Sequence, residues 1–188
     1  MDNHITIEIF SLLWWNATLL TFFVIACFLF AGRRVGIPGK EFIGKLIGTV
    51  LLLNALLIHP YLIAIGRWSI ESSLPLHACS LSGLMSGICI FWRNKPAFAF
   101  LAYWGIPGAF HSILTPELTH GINGVLLGEY YITHGGILLS AFYLAFVLGM
   151  KIKANGVFPV FLWSQLSLPV IGFVNFLTGG NYMYLSSK

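Results

Sequence analysis

Apolar residues in this chain fall into six runs separated by short clusters of charge, glycine and proline, over residues 9–31, 43–66, 76–92, 96–114, 130–149 and 157–178. Each run is near the ~20 residues a helix needs to cross the hydrocarbon core of a bilayer. None shows the ~10-residue alternation of polar and apolar positions that marks the strands of an outer-membrane barrel. The pattern predicts an all-α fold: a polytopic transmembrane helical bundle of six spans, a single domain over residues 1–188. Helix breakers fall between the runs, at Gly32-Arg33-Arg34-Val35-Gly36-Ile37-Pro38-Gly39-Lys40, Arg93-Asn94-Lys95-Pro96 and Lys151-Ile152-Lys153-Ala154-Asn155-Gly156. Pro60, Pro107 and Pro169 lie inside runs, where they are expected to bend the helices.

Charge gives the bundle an orientation. Threading six spans puts Arg33, Arg34, Lys40, Lys45, Arg93, Lys95, Lys151 and Lys153 at one face and leaves Arg67 and Lys188 at the other, eight against two. Positive residues collect on the cytoplasmic side, so both termini and the loops 67–75 and 115–129 are expected outside. The acids Glu117 and Glu129 then fall in a solvated outer loop, and no acid is expected mid-span. Gly44-x-x-x-Gly48 and Gly83-x-x-x-Gly87 predict close helix approach, because missing side chains let backbones come together.

Composition agrees with lipid as the solvent: 57% of the 188 residues are hydrophobic and 9% charged, against roughly a quarter charged in a soluble domain. The formal net charge of +4 is spread over the inter-span clusters, with no basic face for nucleic acid. Cys27, Cys79 and Cys89 form neither a CxxC nor a zinc-finger spacing, so no disulfide framework, structural metal or cofactor is expected. Met1-Asp2-Asn3-His4 lacks a basic n-region and the following run is too long for a signal peptide, so the first helix is expected to be retained. Asn16-Ala17-Thr18 is a formal sequon, but it lies inside a span. Trp14, Trp15, Trp68, Trp92, Tyr130 and Tyr131 fall near the predicted interfaces, as an aromatic belt requires.

Imposing the topology draws together residues distant in the chain. His59, His77, Cys79, His111 and His134 come from four different spans yet share the outer half, whereas Cys27 and Cys89 lie near the cytoplasmic ends. Ionisable groups at membrane depth are costly, and several at one depth point to a polar cavity. Cys79, Gly83, Ser86 and Gly87 follow i, i+4, i+7, i+8 spacing, which turns the sulfur toward the small-residue face of its helix. A thiol deprotonated by an imidazole from another helix attacks an ester carbonyl, and His134 is the best placed by depth. Three readings of these residues stay open: acyl chemistry through a thioester, ligation of a metal or haem by the histidines, and simple hydrogen bonding to a lipid or small molecule. No H-x-x-x-H or H-E-x-x-H occurs within a span, which ranks metal below acyl chemistry. Transport ranks lower still, without a repeat or a mid-span acid.

The run Leu74-Pro75-Leu76-His77-Ala78-Cys79-Ser80-Leu81-Ser82, with Thr115-Pro116, His134-Gly135 and Asn181-Tyr182-Met183-Tyr184-Leu185, resembles the YwaF-type bacterial integral membrane proteins and their eukaryotic relative, the transmembrane protein 164 acyltransferase family. The resemblance implies a phospholipid acyltransferase or acyl-ester hydrolase. In it Cys79 takes the acyl group and His134 acts as base; His77, His59 and His111, gathered by depth, are expected to form a supporting polar site beside them. More distant kinship with androgen-induced-type hydrolases implies hydrolysis as a variant outcome. The resemblance also implies a multi-pass protein of the cell membrane, the cytoplasmic membrane for a bacterial chain, with lipids as partners. Family members commonly continue past the Asn-Tyr motif into a further apolar segment, which implies a chain that is truncated at Lys188 or one that lacks the closing helix.

Overall fold

A computed structural model describes residues 5–185. The expectations resting on Met1-Asp2-Asn3-His4 and on Lys188 lie outside them. Within the described residues the chain forms six helical rods: α1 (Leu12–Arg34), α2 (Ile37–Ala64), α3 (Ala78–Trp92), α4 (Lys95–Leu114), α5 (Gly124–Phe146) and α6 (Val157–Thr178). Two short strands, β1 (Ile5–Thr6) and β2 (Glu117–Leu118), pair antiparallel at one end.

Local signals set the helix ends. Ser11 caps α1 by accepting from the Trp14 N–H at 3.2 Å, Asn94 caps α4 through the Ala97 N–H at 3.1 Å, and Asn123 caps α5 through the Leu126 N–H at 2.9 Å. The α6 helix stops at Gly179, whose φ of +72° is the left-handed conformation that glycine tolerates. Two starts fall six residues earlier than the apolar runs predict. The α2 helix opens at Ile37 because Gly36 and Pro38 suit a first turn, and it absorbs Lys40 and Lys45, whose long stems carry their charges to the interface. The α5 helix opens at Gly124 rather than 130, which corrects the placement of Glu129: it lies inside the helix, not in a loop.

Four rods, α1, α2, α4 and α6, are long and apolar enough to cross a membrane. The α3 helix has 15 residues. The α5 helix has 23, but Glu129, Thr133, His134 and four glycines lower its apolar character. Position explains the difference. It is the central rod, packing against α1, α2, α3 and α4, so protein rather than lipid surrounds most of its polar groups.

Small residues allow the close packing. Gly48 of α2 and Gly87 of α3 meet backbone to backbone, and a Cβ on either would stand 3.2 Å from the other's carbonyl oxygen. On α5, a Cβ at Gly136 would lie 2.1 Å from Leu51 of α2. The three turns rich in Lys and Arg share one end of the bundle. There Arg93 pairs with Glu41, the Tyr143 hydroxyl donates to the Lys40 carbonyl at 2.9 Å, and the Tyr103 hydroxyl donates to the Lys153 carbonyl at 3.0 Å. At the opposite end the β1–β2 pair, Trp14 Nε1 donating to the Leu114 carbonyl at 2.9 Å, and Arg67 on the His120 carbonyl tie the loops together.

Of the three prolines expected to bend helices, Pro107 follows a π-helical turn, Leu101–Gly105, in the middle of α4. Pro107 has no N–H for the carbonyl four residues back, and the wider turn before it absorbs that gap. Pro60 and Pro169 lie inside α2 and α6.

Candidate functional site

A cavity of about 1070 Å³ opens between α2, α3, α4 and α5, at the end of the bundle away from the Lys- and Arg-rich turns. All five residues gathered by depth, His59, His77, Cys79, His111 and His134, line it. Cys27 and Cys89 do not. Each lining residue owes its place to a different local cause.

His77 is the residue immediately before α3, and Cys79 stands in the first turn of that helix. The N-cap side chain makes no capping bond, so the first N–H groups of α3 are not covered by it. Cys79 Sγ lies 3.6 Å from the Ser112 hydroxyl on the last turn of α4. The side of Gly108, one turn back on α4, is open to the sulfur, since a Cβ there would stand 3.9 Å from it.

His134 is the most enclosed of the four histidines and sits three turns into α5, deeper than the single turn that a start at 130 implies. Its Nδ1 lies 2.7 Å from the Tyr130 carbonyl. A carbonyl only accepts, so in the neutral ring Nδ1 carries the proton and Nε2 keeps a lone pair. The Tyr130 ring stacks on the imidazole at 4.2 Å between centroids. The Tyr130 hydroxyl in turn donates to the Ser112 carbonyl at 2.7 Å. Cys79 and His134 therefore share a cavity and are joined through Ser112 and Tyr130, while the sulfur's hydrogen bond goes to Ser112.

His77 has the opposite tautomer. Its Nδ1 accepts from the Met183 N–H at 3.4 Å, which leaves the proton on Nε2. Its ring packs against Tyr182 at 5.1 Å and Tyr184 at 6.1 Å. The segment after α6 thus folds back over α3, and Met183 and Tyr184 become part of the cavity wall. Tyr182 is fully buried; its hydroxyl donates to the Ile70 carbonyl at 2.7 Å and accepts from the Leu74 N–H at 2.9 Å. Burial pushes this phenol above its ordinary range and keeps the donating proton in place.

His59 and His111 stand nearer the mouth. His59 Nδ1 accepts from Trp68 Nε1 at 3.2 Å, and His111 Nδ1 lies 3.2 Å from the Thr115 hydroxyl. No group of three or more His, Cys, Asp or Glu side chains arranged to hold a metal occurs among the described residues.

Polar groups in the wall and just behind it escape a reading based on spans. Asn54 on α2 donates to the Thr133 hydroxyl at 2.9 Å, and that hydroxyl donates to Glu129 at 2.9 Å. The i, i+4 pairs Glu129–Thr133 and Tyr130–His134 are visible in the sequence once Asn123 is read as a helix cap. Ser112 carries no such signal, because its partner comes from another helix.

A helical bundle that encloses a histidine-lined cavity of this size between apolar rods is a multi-pass membrane protein with an internal ligand-sized site. A model of the TMEM164 family matches residues 4–188, and the chain belongs to that family. No curated protein and no solved structure matches it.

Proposed function

We propose that the chain is a lipid acyltransferase or acyl-ester hydrolase that works through a thioester on Cys79, in the outer half of the cell membrane. The observation that carries this reading is the thiol itself: it stands in the first turn of α3, on the wall of a cavity of about 1070 Å³ that also holds an imidazole with an unprotonated Nε2. In the reaction, His134 Nε2 takes the thiol proton and the sulfur attacks the ester carbonyl of a phospholipid. The tetrahedral oxyanion forms beside the leading N–H groups of α3, where backbone donors favour negative charge. Collapse breaks the ester C–O bond, and the imidazolium returns its proton to the departing lysolipid oxygen. A lysolipid hydroxyl, or water in hydrolysis, then gives its proton to His134, attacks the thioester and releases the thiolate, which regains the proton. The Ser112 hydroxyl holds the sulfur's rotamer, and His77 orients the tail that closes the wall. Resemblance to YwaF-type and transmembrane protein 164 proteins supports the same roles.

The test is the covalent intermediate. Purified protein in nanodiscs containing a phospholipid with a labelled acyl chain is expected to acquire a hydroxylamine-sensitive label that Cys79→Ala abolishes and that Cys27→Ala and Cys89→Ala retain. Label that survives Cys79→Ala would sink the reading.

A second reading rests on the sulfur's hydrogen bond to Ser112 rather than to a base. On it the cavity binds a lipid or small molecule without chemistry, and no acyl adduct forms on any cysteine.

A further inference from the structure

We infer that a second lipid site, separate from the cavity, lies in a slot between α1, α2 and α5, and that it holds one acyl chain of a bilayer lipid by the ester carbonyl.

The slot encloses about 310 Å³ and, among the described residues, shares only Leu51 with the wall of the cavity. Its floor is buried at Ile25, Ile47 and Leu139, while its rim at Leu20, Val50 and Ile132 is exposed along the lipid-facing side of the rods. A chain can therefore enter sideways from the bilayer. No charged residue lines the slot, and two polar side chains do, Thr21 and Tyr131. The Thr21 hydroxyl is already used, donating to the Ala17 carbonyl at 2.8 Å.

Tyr131 is not. Its hydroxyl and that of Thr18 face each other across the contact of α1 with α5, and both are buried without any other hydrogen-bond partner. One contact between two hydroxyls uses one proton, so one O–H remains without an acceptor, which is costly where water does not reach. Tyr131 stands in the slot wall and Thr18 behind it, so Thr18 donates to Tyr131 and the phenol proton is the one left over. The slot thus lacks an oxygen acceptor. With no cation beside it, a neutral carbonyl suits the place better than a carboxylate.

The order of polar and apolar groups matches a membrane lipid. Thr18 and Tyr131 lie in the first third of α1 and α5, at the end of the bundle away from the Lys- and Arg-rich turns, and a tyrosine side chain in a helix leans toward the N-terminus. From there the wall runs inward through apolar residues to Phe28, Leu46 and Leu139. On α5 it extends from Gly128 to Leu139, about 16 Å at 1.5 Å per residue. That is close to half of the ~30 Å hydrocarbon core, the depth that one acyl chain occupies below its ester. The space is also left open on purpose by one glycine. Gly135 and Gly136 give their missing side chains to Thr21 and Leu51, whereas a Cβ at Gly128 would meet nothing within 4 Å.

Photolabelling tests the site. The protein is placed in nanodiscs that contain a trace of phosphatidylcholine with a diazirine partway along one acyl chain, and labelled residues are located by peptide mass spectrometry. Label is expected to concentrate on the slot residues of α1, α2 and α5, Leu51 left aside, above the level on Phe161, Leu166 and Phe173 of α6, which are equally exposed to lipid. Gly128→Leu fills the outer end of the slot and is expected to keep the thermal midpoint while slot label falls to the α6 level. Unlabelled diester phosphatidylcholine is expected to suppress slot label at about one tenth of the mole fraction that its dialkyl ether analogue needs, the effect of one hydrogen bond to the carbonyl. Tyr131→Phe keeps the ring, removes the donor and is expected to erase that difference. Slot label no higher than on α6, undiminished label in a folded Gly128→Leu, equal competition by the two lipids in the parent, or a diester advantage that persists in Tyr131→Phe would each overturn the inference. None of these readouts depends on Cys79, so they stand or fall apart from the acyl chemistry.

Discussion

The Asn175 carboxamide and the Tyr182 peptide unit hold each other by two hydrogen bonds: Asn175 Nδ2 donates to the Tyr182 carbonyl at 2.9 Å, and Asn175 Oδ1 accepts from the Tyr182 N–H at 2.8 Å. Both groups are buried, one at the end of α6 and the other in the segment that turns back over α3. This clasp sets the Tyr182 ring under the 70–74 loop and, through Met183, holds His77. The cavity wall nearest Cys79 is thus fastened from the far end of the chain.

Asn175→Leu is close in volume but leaves the Tyr182 N–H and carbonyl buried without these partners. The expected loss of stability is about 1–3 kcal/mol, the penalty for buried unsatisfied polar groups. A lower thermal midpoint in detergent micelles checks this. With the tail loosened, Cys79 is also expected to react faster with a membrane-permeant maleimide, whereas Cys89, buried at the other end of α3, is not. An unchanged Cys79 rate would mean that the tail does not guard the cavity.

The Gly48–Gly87 crossing makes a second prediction about packing. A Val at Gly48 must displace Phe91 and Ile90, which a Cβ alone would meet at 2.9 and 3.3 Å, and it presses on the Gly87 carbonyl. Overpacking of this kind costs roughly 1–3 kcal/mol. Gly172→Ala on α6 meets nothing within 4 Å and is expected to leave the thermal midpoint unchanged or slightly raised. Equal midpoints for the two variants would contradict the close crossing.

What could be read from the sequence divides along the same physical line. The six rods were legible because lipid imposes one rule on every residue that faces it, and apolar runs record that rule directly. The gathering of His59, His77, Cys79, His111 and His134 on one cavity followed from alternation of direction alone. The start of α5 was not legible in this way. Its surroundings are protein, so Glu129 lies inside the helix without breaking any lipid-facing pattern, and an apolar window stops short of it. Ser112 was hidden for another reason: its contact with Cys79 depends on how α4 passes α3, and α4 carries a π turn at Leu101–Gly105 that has no reliable mark in the sequence.

Tyr130 offers a test of how the wall is braced. Its hydroxyl donates to the Ser112 carbonyl at 2.7 Å and accepts from the Glu117 N–H at 3.4 Å, joining α5 to α4 and β2. Tyr130→Phe keeps the ring that stacks on His134 and removes both bonds. A stability loss of about 1–3 kcal/mol is expected from the groups left behind. Denaturant or thermal unfolding in micelles measures it. A loss well below this range would show that water replaces the hydroxyl at both partners.

His134 can be tested by separating its two nitrogens. An Asn at this position presents an N–H close to where Nδ1 stood and can keep the bond to the Tyr130 carbonyl, but it has nothing at the place of Nε2. A Gln reaches the place of Nε2 and gives up the bond to Tyr130. If the imidazole acts only as a brace, His134→Asn restores both folding and lipid acyl exchange. With Nε2 as the base for Cys79, His134→Asn is expected to keep a thermal midpoint near that of the parent while acyl exchange falls by about 10²–10⁴, the usual contribution of a general base. His134→Gln is expected to lose exchange and stability together, since an amide oxygen is too weak a base to ionise a thiol. Exchange assayed with a labelled phospholipid and a lysophospholipid acceptor, alongside thermal unfolding of the same preparations, gives both readouts. Full exchange in a well-folded His134→Asn would remove His134 from the chemistry and leave it as a structural residue of α5.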